Sequence, residues 1–137
     1  MNPIKILLLI ASSLFIAGCA STPKSITGNF ALVSVTDASV SVDEPIIIHL
    51  RDTSIAGSGP VNQWQASIND GEIGPIIATR RAGPPESMQI EANLLAALQG
   101  AEFELDKYGK LTFKKKRKVT AVFQYVDIDP TASSSNE

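Results

Sequence analysis

Pro85-Glu-Ser-Met-Gln-Ile-Glu-Ala-Asn-Leu-Leu-Ala-Ala-Leu-Gln-Gly100 reads as a helix in a chain that otherwise reads as strands. A helix is expected to start near Pro85 and run through Met88–Gln99. Proline suits a first helical turn because its missing N–H would find no partner there. Glu86 sits at the positive end of the helix dipole. Gly100 is the expected C-terminal cap. At about 100° per residue, Ile90, Leu94, Leu95 and Leu98 fall on one apolar arc. A single helix cannot bury such an arc alone. It must pack on a curled antiparallel sheet, so the expected class is α+β, predominantly β, with a barrel-like domain and one main packed helix.

The flanking sequence supplies about seven or eight strands. Asn29–Val35 alternates. In Pro45–Arg51, Ile46, Ile48 and Leu50 point one way, and Ile47, His49 and Arg51 the other. Trp64, Ala66 and Ile68 alternate with Gln65, Ser67 and Asn69. Asp70-Gly71 is a hairpin signal. Ile73–Thr79 is the return strand, interrupted by Gly74-Pro75. Glu102–Leu105, Lys110–Lys115 and Val119–Val126 follow the helix. Between the early strands lies Ser54–Trp64, in which Gly57, Gly59 and Pro60 demand a specific backbone path. The favoured reading is a turn with positive φ at glycine and Asn62 bonding its own loop. The competing reading is an anion cradle of backbone N–H groups.

Glu91 falls inside the helix's apolar arc. A carboxylate there is costly unless it is hydrogen-bonded or paired. Arg80, Arg81 and the N–H groups of the glycine segment are the available partners. The favoured reading is a structural lock joining helix, turn and the Thr79 strand. The sharper alternative is a catalytic acid.

At the other end of the chain, Met1–Lys5 is positively charged and Ile6–Ile16 is almost wholly apolar. That run fits a signal-peptide core better than a membrane span. Leu14-Phe-Ile-Ala-Gly-Cys-Ala20 closes it and resembles a bacterial lipobox, with Cys19 as the lipidated residue. Residues 1–18 are therefore expected to be removed as a signal peptide, and 19–27 to serve as lipidated cysteine and spacer. Residues 28–126 form the domain and 127–137 a polar tail. Ala20, rather than Asp, after the cysteine favours an outer-membrane, periplasm-facing anchor over the inner membrane.

Composition narrows the function classes. Hydrophobic residues make up 44% and charged residues 19%, as in a globular chain. A net charge of −2 gives no general reason to bind nucleic acid. The single cysteine leaves no thiol for a disulfide once it carries lipid. Gly57-Ser-Gly59 is neither a dinucleotide fingerprint nor a P-loop, and Ser58 lacks a nucleophile-elbow frame. His49 is the only histidine, so no zinc set is at hand. No cofactor, no metal and no catalytic residue is expected. Lys114-Lys-Lys-Arg-Lys118 is a dense basic run. It reads either as a solvated hairpin turn or as a contact for anionic lipid or a wall polymer.

Three pieces together resemble the META domain family, which includes the heat-shock HslJ-like envelope proteins. They are Ile55-Ala-Gly-Ser-Gly-Pro-Val-Asn62, Thr79-Arg-Arg-Ala82 and the Met88–Leu98 helix with its glutamate and spaced leucines. Gly28–Val35 and Leu111–Phe113 extend the likeness over most of the chain. Val61 and Gly83-Pro84-Pro85 stand where many members have cysteines, so no thiol role carries over. The resemblance implies a compact β-rich domain with an envelope or stress association, and no reaction. The expected role is a non-enzymatic binding, scaffold or stress-maintenance module. The alternatives are a small-ligand or peptide binder, conceivably an inhibitor, using Gly57–Asn62 with Trp64 and Arg80, and a hydrolase using Glu91.

Overall fold

The computed structural model describes residues 26–38, 40 and 44–128. The expected signal peptide, Cys19, most of the expected spacer and most of the expected tail lie outside the described residues. Nine strands and one helix are present in the order β1 (Gly28–Val35), β2 (Ile47–Arg51), β3 (Ser54–Ser58), β4 (Gln63–Asn69), β5 (Glu72–Ile73), β6 (Ile77–Ala78), α1 (Pro85–Leu98), β7 (Glu102–Leu105), β8 (Lys110–Lys115) and β9 (Lys118–Val126).

Every pairing is antiparallel, and β3 pairs with both β2 and β4. The sheet therefore closes through β1-β2-β3-β4-β5-β7-β8-β9 and back to β1. Closure removes the free edges that an open sheet of this length would present. β5 and β6 are one return strand broken in the middle. Gly74 N–H still reaches Ser67 O at 2.9 Å. Pro75 has no N–H to offer. Ile76 N–H turns instead to the Gln99 side-chain carbonyl at 3.2 Å, which ties the break to the end of the helix.

Alternation fills the barrel. Phe30, Ile48, Leu50, Ile55, Leu111, Phe113 and Phe123 are all buried on the inner face. Phe113 and Phe123 meet edge-on at 5.6 Å between ring centres, a favoured aromatic geometry. The helix adds Leu94 and Leu98, both fully buried. Deleting buried side chains of this size typically costs about 2–5 kcal/mol each, so the helix and barrel stand or fall together.

The register defines two ends. Gly28 lies opposite Leu50, and Asn29 opposite Val126. This end also carries the β2–β3 turn, where Thr27 Oγ1 donates to Asp52 at 3.5 Å, and the loop before β8. Val35 lies opposite Ala121 at the other end, beside the start of β9. The helix spans that second mouth. It has no basic residue in its own last turn, and the β8–β9 hairpin supplies what is missing. Lys115 Nζ donates to Ala96 O, and Thr120 Oγ1 donates to Ala97 O at 2.7 Å. A cation at the carbonyl end of a helix complements its dipole.

In the loop before β8, Asp106 Oδ1 accepts the Tyr108 N–H at 2.8 Å and the Lys110 N–H at 2.9 Å. The Lys110 N–H is the largest cause holding this carboxyl below its ordinary value of 3.8, with the Tyr108 N–H adding to it. A depressed folded value means that the group's stabilising contribution is present above the unfolded value and is lost as pH falls through the folded one. An NMR titration of the Asp106 side-chain carboxyl should therefore give a midpoint lower than 3.8. A midpoint at or above that value would contradict these hydrogen bonds.

The glycine-rich segment differs from expectation. Its first half is a strand, β3, and not a turn. Positive φ occurs at Gly71, Gly100 and Gly109, and not at Gly57 or Gly59. Glycine is required at both of the latter by lack of space. A Cβ on Gly57 would lie 2.9 Å from Trp64 Cζ2 and 3.0 Å from Ile47 O. A Cβ on Gly59 would lie 2.5 Å from Glu91 Oε2.

Candidate functional site

The densest polar arrangement in the domain sits where the helix crosses the segment between β3 and β4. Glu91 is buried, as its place in the helical repeat implies, and its carboxylate accepts three hydrogen bonds. Oε2 receives the backbone N–H of Val61 at 3.1 Å and of Asn62 at 2.7 Å. Oε1 receives the Asn62 side-chain amide at 2.6 Å. Among the described residues neither Arg80 nor Arg81 forms an ion pair with it. The N–H groups are closer because Gly59, lacking a Cβ, lets the chain pass directly over the carboxylate.

Asn62 extends the network in the opposite direction. Its Oδ1 accepts Thr79 Oγ1–H at 2.9 Å and Arg81 N–H at 2.7 Å. Thr79 Oγ1 in turn accepts Gln63 N–H at 3.2 Å, and Thr79 N–H donates to Gln63 O at 2.9 Å. Asn62 O receives Gly59 N–H at 2.7 Å, which tightens the loop on itself. The bonds have one polarity. Each donor on Asn62 points towards Glu91, and each acceptor on its amide points towards the strand carrying Thr79. An amide side chain suits this place because it carries its donors and its acceptor on separate atoms. Gly59, Asn62, Thr79 and Glu91, singled out separately in the sequence, therefore meet in one network. Arg81 joins it through its main chain, a contribution that no side-chain pattern signals. Gly83 serves the same junction: a Cβ there would lie 2.6 Å from Val61 Cγ2.

The META domain matches residues 24–127. The chain belongs to the META domain family. Among solved structures, the NMR structure of a protein from Burkholderia xenovorans is similar, with a TM-score of 0.53 and 20% identity. The match covers 72% of this chain and 81% of that one, and it establishes likeness of fold. No curated protein matches the chain.

The remaining candidate residues of the META domain are spread over its surface and core. Trp64 is 3% exposed and packs over Gly57, as part of the inner wall. Its Nε1–H is the one buried side-chain polar atom without a hydrogen-bond partner among the described residues. Arg80 is exposed. Two adjoining clefts of about 490 Å³ each run along the outside of β3 and share His49, Ala56, Gln65 and Ile77. These four residues are consecutive partners across β2, β3, β4 and β6. Ala56 is the smallest of the four, which opens the surface between His49 and Gln65. His49 is fixed beside them by Asn29, its cross-strand neighbour, with Nδ1 and Oδ1 2.5 Å apart. A third cleft, of about 700 Å³, lies between β2, Ser58–Pro60 and the first helical turn at Glu86 and Ser87. None of these three clefts is lined by Asn62 or Arg80.

The basic run is not a uniform patch. Lys114 pairs with Glu104 at 2.6 Å, and Lys118 with Asp37 at 2.7 Å. Lys115 is held on the helix carbonyl. Lys116 and Arg117 alone form the turn, both with positive φ, at 48° and 69°. Among the described residues no three His, Cys, Asp or Glu side chains group as metal ligands.

Proposed function

We propose that this META domain protein is a non-enzymatic envelope lipoprotein, tethered to the outer membrane through Cys19, whose domain works as a binding, scaffold or stress-maintenance module. The observation that carries the reading is the Glu91 network. The most reaction-like side chain in the domain is buried, and three donors already bind its carboxylate. A general acid or base needs hydrogen-bond reach to a substrate proton. Here both carboxylate oxygens face the protein's own loop. The network's effect is to clamp the helix over the barrel mouth and to hold β4, the Thr79 segment and the glycine segment in fixed relation.

The fold's polarity sets what such a tether would present. Residue 26 adjoins the end opposite the helix, so the helix, the glycine segment and the β8–β9 tip lie at the end of the domain away from the point of tethering. A spacer of about eight residues reaches roughly 25–30 Å. The domain would then act within that distance of the membrane. Replacing Cys19 by Ala should leave an unprocessed precursor that incorporates no labelled palmitate. Normal labelling and processing of that variant would remove the lipoprotein reading.

One observation favours a second reading, a small-ligand or peptide binder. The cleft of about 700 Å³ beside Ser58, Gly59 and Pro60 lies at the glycine segment. Photo-crosslinking from Pro60, which is exposed, distinguishes the two readings. A small molecule or a peptide held there selects the binder. A folded envelope protein captured there selects the scaffold.

A further inference from the structure

We propose that Lys116 and Arg117 form a rigid two-cation tip that binds a linear polyanion, a polymer bearing repeated phosphate or carboxylate groups, on the side of the domain away from the tether. Two observations meet at this tip. The first is the backbone. Lys116 and Arg117 occupy the two central positions of a two-residue hairpin loop closed by the Lys115–Lys118 pair. Both have positive φ. Such loops favour Asn-Gly, and bulky residues are disfavoured in this region. The same fold meets the requirement conventionally at its other tight hairpin, where Asp70 and Gly71 have φ of 51° and 80°. Two long cations at the β8–β9 turn therefore act against turn preference, and strain of this kind collects at functional positions.

The second observation is what surrounds the tip. Lys114, Lys115 and Lys118 are held by Glu104, the helix carbonyl of Ala96 and Asp37. A register shift between Phe113 and Lys114 places Thr120 against the helix, where it bonds Ala97 O. These contacts fix the hairpin and engage its other three lysines, and leave Lys116 and Arg117 exposed without a partner among the described residues. The hairpin backbone is already fixed, so binding has only the two side chains left to order. Being on a chain of net charge −2, the tip is a local positive point on an otherwise mildly acidic protein.

Position selects a polymer over a membrane. Strand β9 runs from Lys118 at the tip to Val126 beside Asn29. At about 3.3 Å per residue, its nine residues place the tip roughly 25–30 Å along the sheet from the end where residue 26 adjoins the barrel. With Cys19 in the membrane, the tip would lie at the end of the domain opposite the point of tethering. This choice of partner rests on the lipoprotein reading. The polyanion binding itself does not, and is measured separately.

The test uses the full-length chain in neutral detergent, with sodium polyphosphate and polyglutamate as probes. The variant carries Lys116→Asn and Arg117→Gly together, which installs the preferred turn while removing both charges. The wild-type chain should bind at least one probe, with affinity falling as salt rises. At about fivefold per cation at an anionic surface, the double variant should bind roughly thirtyfold more weakly. Its melting temperature should be unchanged or higher, so loss of binding cannot be loss of fold. A preference for one probe identifies the anionic group. Equal binding by wild type and variant, or binding of neither probe by the wild type, overturns the proposal. Tip-dependent attachment to vesicles containing phosphatidylglycerol that exceeds polymer binding overturns it in favour of a membrane contact. The Cys19→Ala result bears on the tether alone, so the two readings can fail independently.

Discussion

Replacing Asn62 by Ala should destabilise the domain by about 3–5 kcal/mol, the sum of one hydrogen bond to a charged group at about 1.5–3 kcal/mol and two neutral ones at about 0.5–1.5 kcal/mol each. Three hydrogen bonds end on this side chain: one to Glu91 Oε1, one from Thr79 and one from the Arg81 main chain. Truncation leaves the buried carboxylate short of a donor, and leaves the Thr79 hydroxyl and the Arg81 N–H without their acceptor. For a domain of this size the melting temperature should fall on the order of 20 °C. Glu91→Gln should cost less, about 1.5–3 kcal/mol, the weight of hydrogen bonds to a charged group. The glutamine oxygen can still accept the Val61 and Asn62 N–H groups. Its NH₂ would then face the Asn62 NH₂, donor against donor. Flipping Asn62 would relieve that contact only by turning its NH₂ towards Thr79 and Arg81 N–H. Chemical denaturation of the two variants checks the order. If Asn62→Ala melts with the wild type, the network does not hold the fold together.

Much of this site was legible in the sequence, and the part that was not has a physical reason. Glu91 stood out because a carboxylate on an apolar helical arc demands a partner. Its burial follows from the 3.6-residue repeat alone. The choice of partner does not. Val61 and Asn62 bind it through main-chain N–H groups, which every non-proline residue carries, so composition cannot favour them over Arg80 and Arg81. The strand pairs were readable from alternation, and the Asp70-Gly71 turn from its residue types. Ser54–Ser58 was not, because Gly57 and Gly59 on either side of Ser58 read as a turn. In the fold, Gly57 has the extended backbone of a strand and yields its side-chain space to Trp64. The basic run was visible as five like charges. Its division into three fixed and two free cations depends on Glu104, Asp37 and Ala96, which lie 10 to 81 residues away in the chain.

The helix clamp also accounts for how a barrel with one weak seam remains closed. β5 and β7 share a single residue pair, Glu72 with Glu102, and these are like charges directly opposite one another. Such a pair contributes no attraction of its own. The seam is closed by the end of the helix. Gly100 N–H donates to Ile73 O at 2.8 Å, and Ile73 N–H donates to Ala101 O at 2.9 Å. The helix is therefore pinned at its middle by Glu91 and just past its end by the seam.

Gly59→Ala should cost about 2–3 kcal/mol, within the usual range for overpacking a tight site, and the cost should nearly vanish when Glu91 is also replaced by Ala. The added Cβ would lie 2.5 Å from Glu91 Oε2, 2.8 Å from Cγ and 3.0 Å from Cδ. A free carboxylate could swing aside. This one is held by three donors, so moving it breaks the bonds from Val61 and Asn62. Backbone strain is not the obstacle, because Gly59 does not have positive φ. At a site of that kind Gly→Ala otherwise stabilises by about 0.4–1 kcal/mol through the unfolded chain. Removing the Glu91 side chain removes the three atoms nearest the new Cβ, so the second substitution should then be neutral or mildly favourable. The coupling energy between the two positions should reach about 2 kcal/mol, well beyond the scatter of independent sites. Gly57→Ala provides the contrast. Its Cβ meets Trp64 and the Ile47 carbonyl, so it should remain costly whether or not Glu91 is present. Denaturant unfolding in sulfate buffer, which strengthens apolar burial and preserves a folded baseline for the weakest variants, measures all the corners. Additive costs for Gly59 and Glu91 would show that the carboxylate yields freely, and the clamp would then have to be sought elsewhere in the helix.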